Sequence, residues 1–166
     1  MQPSTAGDPS TQNRYRISMP SPVGRLLIEG TEHHINAVLF TDEGEESPEV
    51  PPLLHLAVKQ LQEYFDKTRR TFDFPMQQEG TPFQQAVWHQ LTTIPFGETI
   101  TYLALAKRVG NVKSIRAVGT TNGRNNLAIV VPCHRVIGSG GVLTGYAGGL
   151  WRKQWLLDHE GGGTLF

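Results

Sequence analysis

The chain holds a single cysteine, Cys133, among 166 residues. No intrachain disulfide can form, so packing and hydrogen bonding must carry the fold. No apolar run approaches the roughly 18 residues that a bilayer-spanning helix needs, and no membrane is expected as a partner. The cysteine and histidines are not set at zinc-ligand spacing, so neither a metal nor any other cofactor is expected. The sequence also lacks a fixed-period repeat and any low-complexity tract. Its N-terminal stretch, MQPSTAGDPSTQN, has neither the apolar core nor the basic flank of a secretory signal. Residues 1–13 therefore read as a short disordered lead, and the expected compartment is the reducing cytoplasm.

Net charge is absent as well, with 15 Lys/Arg against 15 Asp/Glu. The balance conceals an asymmetry: residues 1–80 carry a net −5 and residues 81–166 a net +5. A basic half suits a polyanionic partner, although a basic face without any partner would look the same.

The patterning divides the chain at about residue 79. RYRISMPSPVGRLLIEG (14–30) reads as two strands joined by a turn at Ser21-Pro22-Val23-Gly24, and INAVLF (35–40) continues the strand pattern. An acidic loop follows, then a helix whose apolar residues fall at helical spacing from Leu53 to Phe65. TRRTFDFPM reads as a last strand stopped by Pro75. Residues 14–78 thus form a small α+β domain with no catalytic constellation and a structural role. Beyond it, Thr81-Pro82 opens a helix with the stripe Phe83, Val87, Trp88 and Leu91. Thr101 caps a second helix that Gly110 stops. KSIRAVGTTNG forms a third, with Ile115 and Val118 as its apolar face, and the pair has the layout of a helix-turn-helix. LAIVV (127–131) reads as a buried strand, and WRKQWLLDHEG as a closing helix. Residues 79–166 form the second domain.

Chemistry concentrates after that apolar stretch, at Pro132-Cys133-His134-Arg135. A lone cysteine is either a small buried hydrophobe or a working thiol. At the end of a strand, with polar residues following, it faces a site. Only the thiolate is a competent nucleophile, so a neighbour must lower the thiol pKa from about 8.5. His134 is adjacent, and Glu160 can orient it, a nucleophile-base-orienter arrangement.

PCHRV, LTGYAGG and WLLDHEG, with TPFQQAVWHQLTTIPFGETITY and RAVGTTNGRN before them, resemble the O6-alkylguanine-DNA alkyltransferase family over residues 80–161. Residues 14–78, with SPVGRLLIEG, are similar in layout to the small N-terminal domain of its bacterial members. The resemblance implies an α+β protein: a ribonuclease H-like N-terminal domain and a winged helix-turn-helix C-terminal domain. It implies direct-reversal repair, in which Cys133 takes the alkyl group irreversibly from O6-alkylguanine in double-stranded DNA after the base is flipped out. His134 would draw the thiol proton through a water, and Glu160 would bond the other ring nitrogen. Tyr102 would protonate the guanine as it leaves. Arg116 would fill the gap left by the flipped nucleotide, and Ser114 would permit close approach to the minor groove. Lys107, Arg108, Lys113 and Arg124 would meet phosphates. Asn125 would tie the helix-turn-helix to the active-site segment, and Tyr146 with Gly148 and Gly149 would shape the base pocket. Asn126 departs from the Pro that many members carry there, and a structural zinc is not implied. The protein would act as a monomer, with cooperativity on DNA left open.

Three rivals stand beside this reading: a lesion-binding relative without transfer, a helix-turn-helix regulator, and a cysteine hydrolase using Cys133, His134 and Glu160. The acceptor thiol argues against the first, and the lack of a dimerisation segment against the second. The third would need an oxyanion hole and would turn over acyl substrates.

Overall fold

A computed structural model describes residues 13–161. Residues 1–12 of the expected N-terminal lead lie outside the described residues. The chain runs β1 (Tyr15–Met19), β2 (Leu26–Gly30), β3 (Ile35–Phe40), α1 (Pro52–Phe65), α2 (Pro82–Leu91), β4 (Ile100–Thr101), α3 (Tyr102–Arg108), α4 (Ile115–Gly123), β5 (Val136–Ile137) and α5 (Leu150–His159).

β1, β2 and β3 form an antiparallel meander with β2 in the centre. The first connection is tight: Gly24 N–H donates to the Ser21 carbonyl at 3.0 Å, with Gly24 at φ 102°, a conformation that favours glycine. β2 is apolar from Leu26 to Ile28, where Leu26 and Ile28 are fully buried, and Glu29 beyond them pairs with Arg16. α1 lies against the sheet through Leu54, Ala57, Leu61 and Tyr64, spaced so that they share one helical face.

The expected strand over 68–76 does not form. β3 has one free edge, and two segments divide it. Ile35 pairs with the chain at Pro75–Gln77, while Val38 pairs with Asn126–Ala128. Neither has room for a ladder, so each makes a single bridge. Upstream, the backbone finds side-chain partners instead: Asp73 N–H donates to Gln60 Oε1, and Arg69 donates to the Thr71 carbonyl.

Residues 127–131 are buried as expected, but they are not a strand either. Val130 N–H turns back to Ala128 O and Val131 N–H to Leu127 O, with Ile129 at φ 71°. A buried β-branched residue in the left-handed region costs about 1–3 kcal/mol and persists only where its surroundings over-determine it. Here the turn is what lets the segment leave β3 and bring Cys133 within reach of Asn125.

The C-terminal half packs α2, α3 and α4 together. Thr81 and Gln84 close a capping box on α2, with Pro82 in its first turn. Thr101 Oγ1 accepts from Ala104 N–H to start α3. Trp88 Nε1 donates to the Thr121 carbonyl, which fixes α2 against α4. Within α4 only Val118 of the expected apolar pair is buried; Ile115 is 39% exposed, because the helix packs through its C-terminal part and presents its first turn outward. Phe83 likewise stands out at the start of α2. β4 and β5 pair in parallel and form the only sheet element of this half among the described residues. One apolar cluster runs through both halves, from Leu26 and Leu61 to Leu105 and Leu156.

Candidate active site

Cys133, His134 and Arg135 form a single 3₁₀ turn at the exit of the strained 127–131 segment, and all three are buried. The thiol faces a cavity of about 120 Å³, walled by Phe40, Asn125, Tyr146 and Gly148. Glycine is required at 148: a Cβ there would lie 2.7 Å from the Phe40 ring and 3.0 Å from Tyr146. The Tyr146 hydroxyl is buried without a hydrogen-bond partner among the described residues, and burial, with the nearby Cys133 and Glu160, pushes it well above the usual tyrosine range.

Asn125 is the staple of the turn. Its Nδ2 donates to Val131 O at 2.8 Å and reaches Leu127 O and Cys133 Sγ at 3.3 Å, while its Oδ1 accepts from Leu127 N–H. Asn122, on α4, donates to the Cys133 carbonyl. The helix-turn-helix and the thiol are thus joined by side-chain amides.

The expectation that neighbours lower the thiol pKa meets an opposing effect. Burial pushes the Cys133 thiol up, only partly offset by the Asn125 hydrogen bond and the charge of Lys153. The resting group is the thiol, and a base is needed when it reacts. Burial also lowers His134, against the pull of Glu160, so its imidazole is neutral near pH 7. Glu160 Oε2 lies 2.7 Å from His134 Nε2. A carboxylate can only accept, so Nε2 carries the proton and Nδ1 keeps its lone pair. Nδ1 is buried and has no hydrogen-bond partner among the described residues. Burial alone would raise Glu160, but His134 and Arg135 outweigh it and hold the carboxyl well below the usual range.

Three participants around this centre escaped the reading of the sequence. Arg135 bonds Glu160 through Nε at 2.8 Å and Nη2 at 3.0 Å, and anchors its third arm on Ile94 O. Its place directly after His134 was the available signal. Tyr64, from α1, donates its hydroxyl to Glu160 Oε2 at 2.6 Å. The N-terminal half therefore reaches the constellation, in a supporting role, and no local motif around Tyr64 announces this. Lys153, on α5, is fully buried and donates to Thr144 O at 2.8 Å. Burial brings its ammonium down to about 8.

Tyr102, at the start of α3, donates to the same Thr144 carbonyl at 3.2 Å, with the Lys153 ammonium 5.8 Å from its ring. Arg116 stands exposed in the first turn of α4. Ser114 Oγ is occupied locally, donating to Asn111 O. Lys107, Lys113 and Arg124 are exposed, and none makes an ion pair among the described residues, whereas Arg108 donates to Thr93. The structure therefore gathers Cys133, Asn125, Tyr146 and Gly148 around one cavity and His134 with Glu160 beside it; the basic residues lie apart, on the outer surface. No group of metal-ligating side chains occurs among the described residues, and no helix there is long and apolar enough to cross a membrane.

Residues 14–78 match the ribonuclease-like domain of 6-O-methylguanine DNA methyltransferase, and residues 82–162 match the DNA binding domain of the same family. The methylated-DNA–protein-cysteine methyltransferase of Methanosarcina acetivorans is 46% identical over 89% of this chain and 98% of its own length. The constitutive enzyme of that name from Bacillus subtilis is 45% identical, over 88% and 94%. Among solved structures, the O6-methylguanine methyltransferase of Mycobacterium tuberculosis superposes with a TM-score of 0.81 at 40% identity, covering 89% of this chain and 93% of that one. A structure of that organism's protein in complex with DNA gives 0.79 at the same identity, over 89% and 92%. With both of its domains matched in order and relatives above 40% identity along nearly their whole length, the chain belongs to the 6-O-methylguanine DNA methyltransferase family.

Proposed function

We propose that this chain repairs DNA by direct reversal, moving the alkyl group from O6 of a flipped guanine onto Cys133, once per molecule. The observation that carries the reading is a buried thiol facing a cavity, followed in the chain by a buried histidine whose tautomer is set by a carboxylate. In the reaction a sulfur–carbon bond forms as the O6–carbon bond breaks. The thiol proton passes to His134 Nδ1, through a water, and the imidazolium is balanced by Glu160. Arg135 and Tyr64 keep that carboxylate in place without taking its role. A general base of this kind contributes roughly 10²–10⁴-fold. The departing guanine takes a proton on its ring from Tyr102, which must release the Thr144 carbonyl to give it.

The partner is double-stranded DNA carrying the alkylated base. O6 lies within the stack, so the nucleotide must leave it, at a cost of a few kcal/mol. Arg116 on the exposed turn of α4 fills the space, Ser114 allows close approach, and Lys107, Lys113 and Arg124 meet phosphates. The relative solved with DNA supports this partner. The protein acts as a monomer in the cytoplasm. Since a thioether does not hydrolyse under mild conditions, repaired lesions plotted against added protein should rise linearly and stop at one per molecule; continued repair beyond that ratio would overturn the reading.

A further inference from the structure

A chain of hydrogen bonds reaches the thiol from the segment before α2, and its direction is fixed at every link. Gln78 is buried. Its Oε1 accepts from the backbone N–H of Asn126 at 2.9 Å, and its Nε2 donates to Asn125 Oδ1 at 2.9 Å. A backbone N–H can only donate, so the oxygen of the Gln78 amide must face it and the nitrogen must face Asn125. Asn125 then presents Oδ1 to Gln78 and turns Nδ2 toward Cys133 Sγ at 3.3 Å. The Gln78 backbone is held in turn, its carbonyl accepting from Gln85 Nε2 on α2 at 2.7 Å.

We propose that Gln78 is a positioning residue for the alkyl transfer: it fixes and polarises the Asn125 amide, the one side-chain donor to the sulfur among the described residues. The inference rests on the reaction proposed above. Three acceptors compete for the two hydrogens on Asn125 Nδ2: Leu127 O, Val131 O and the sulfur. A donor on Oδ1 draws electron density from the amide nitrogen and strengthens each bond it makes. The benefit is greatest when the sulfur is an anion, because hydrogen bonds to ions are about twice as strong as neutral ones. The link also depends on position 126 having an N–H, which a proline there would lack. In this chain the segment after Asn125 is held by a hydrogen bond where a ring would otherwise stiffen it.

Gln78→Met keeps the side-chain length and deletes both bonds. Gln78→Glu retains an acceptor for Asn126 N–H but sets a carboxylate oxygen against Asn125 Oδ1 in place of the donor, so it serves if the Met variant does not fold. The full chain and each variant are alkylated with iodoacetamide across a pH series, and their melting temperatures are recorded alongside. Iodoacetamide needs neither DNA nor base recognition, so this assay stands even if methyl transfer from O6-methylguanine DNA, run in parallel on the unaltered chain, fails. The expected result is a midpoint of thiol reactivity raised by about one unit, corresponding to a rate about tenfold lower at neutral pH. An unmoved pH profile overturns the proposal, whether or not the melting temperature falls, since a merely structural glutamine would change stability alone.

Discussion

Glu160 accepts from Tyr64 and Arg135 and faces His134 Nε2. Such a cluster is expensive to bury and effective only when each member is satisfied. The exception is His134 Nδ1, the atom to which the proposed reaction delivers the thiol proton. The pH dependence of stability follows from burial. An imidazole resisting protonation in the folded state but not in the unfolded chain means that the unfolded state binds the extra proton as pH falls through about 6.5. Stability contributed by neutral His134 is therefore present above that pH and lost below it. Chemical denaturation between pH 7 and 5 should show the unaltered chain losing up to about 1.4 kcal/mol per pH unit more than His134→Asn. Parallel pH slopes for the two would mean that His134 takes up its proton in the fold as readily as in the unfolded chain. At this scale the sequence was partly legible: Cys133, His134 and Glu160 stand out as residue types near one another or near a familiar motif. Tyr64 and Lys153 do not, because their roles arise from α1 and α5 closing on the site and nothing beside them in sequence marks it.

Among elements, α4 divides its work along its length. Its C-terminal part buries Val118, Thr121 and Asn122, while its first turn exposes Ile115 and Arg116. An apolar residue and a cation displayed together, on a helix whose exposed face is otherwise small, suit insertion into a groove better than packing against protein. Arg116→Ala should slow repair of O6-methylguanine in duplex DNA by tenfold or more, in single-turnover kinetics, yet barely change reaction with free O6-benzylguanine, which needs no flipping. Equal losses on both substrates would assign Arg116 another role. The helices were legible because period and caps agree: Thr81-Pro82 and Thr101 mark starts that the structure keeps. The two expected strands at 68–76 and 127–131 failed for a reason outside either segment. Both are apolar enough for a sheet, but they compete for the single free edge of β3. Alternation in a sequence reports which residues are buried, and pairing depends on which edge remains.

At the scale of the whole molecule the two halves share one core and one site. Val38 pairs with Leu127, Tyr64 reaches Glu160, and Arg152 on α5 donates to the Val23 carbonyl in the first turn. An alkyl group added to the buried sulfur must be seated in the cavity beside it, against Asn125 and Tyr146 and at the expense of the Asn125 hydrogen bond. Overpacking of this kind costs about 1–3 kcal/mol, so the methylated protein should melt several degrees lower than the unreacted one, and the benzylated protein lower still. A melting temperature unchanged by both groups would show that the cavity accepts the product without strain. The measurement closest to the central claim is the intact mass of the protein after incubation with excess duplex containing one O6-methylguanine, followed by peptide mapping. One added methyl per molecule is expected, on the peptide that holds Cys133, and none in Cys133→Ser. A second methyl, label on another residue, or an unchanged mass with the lesion repaired would contradict it.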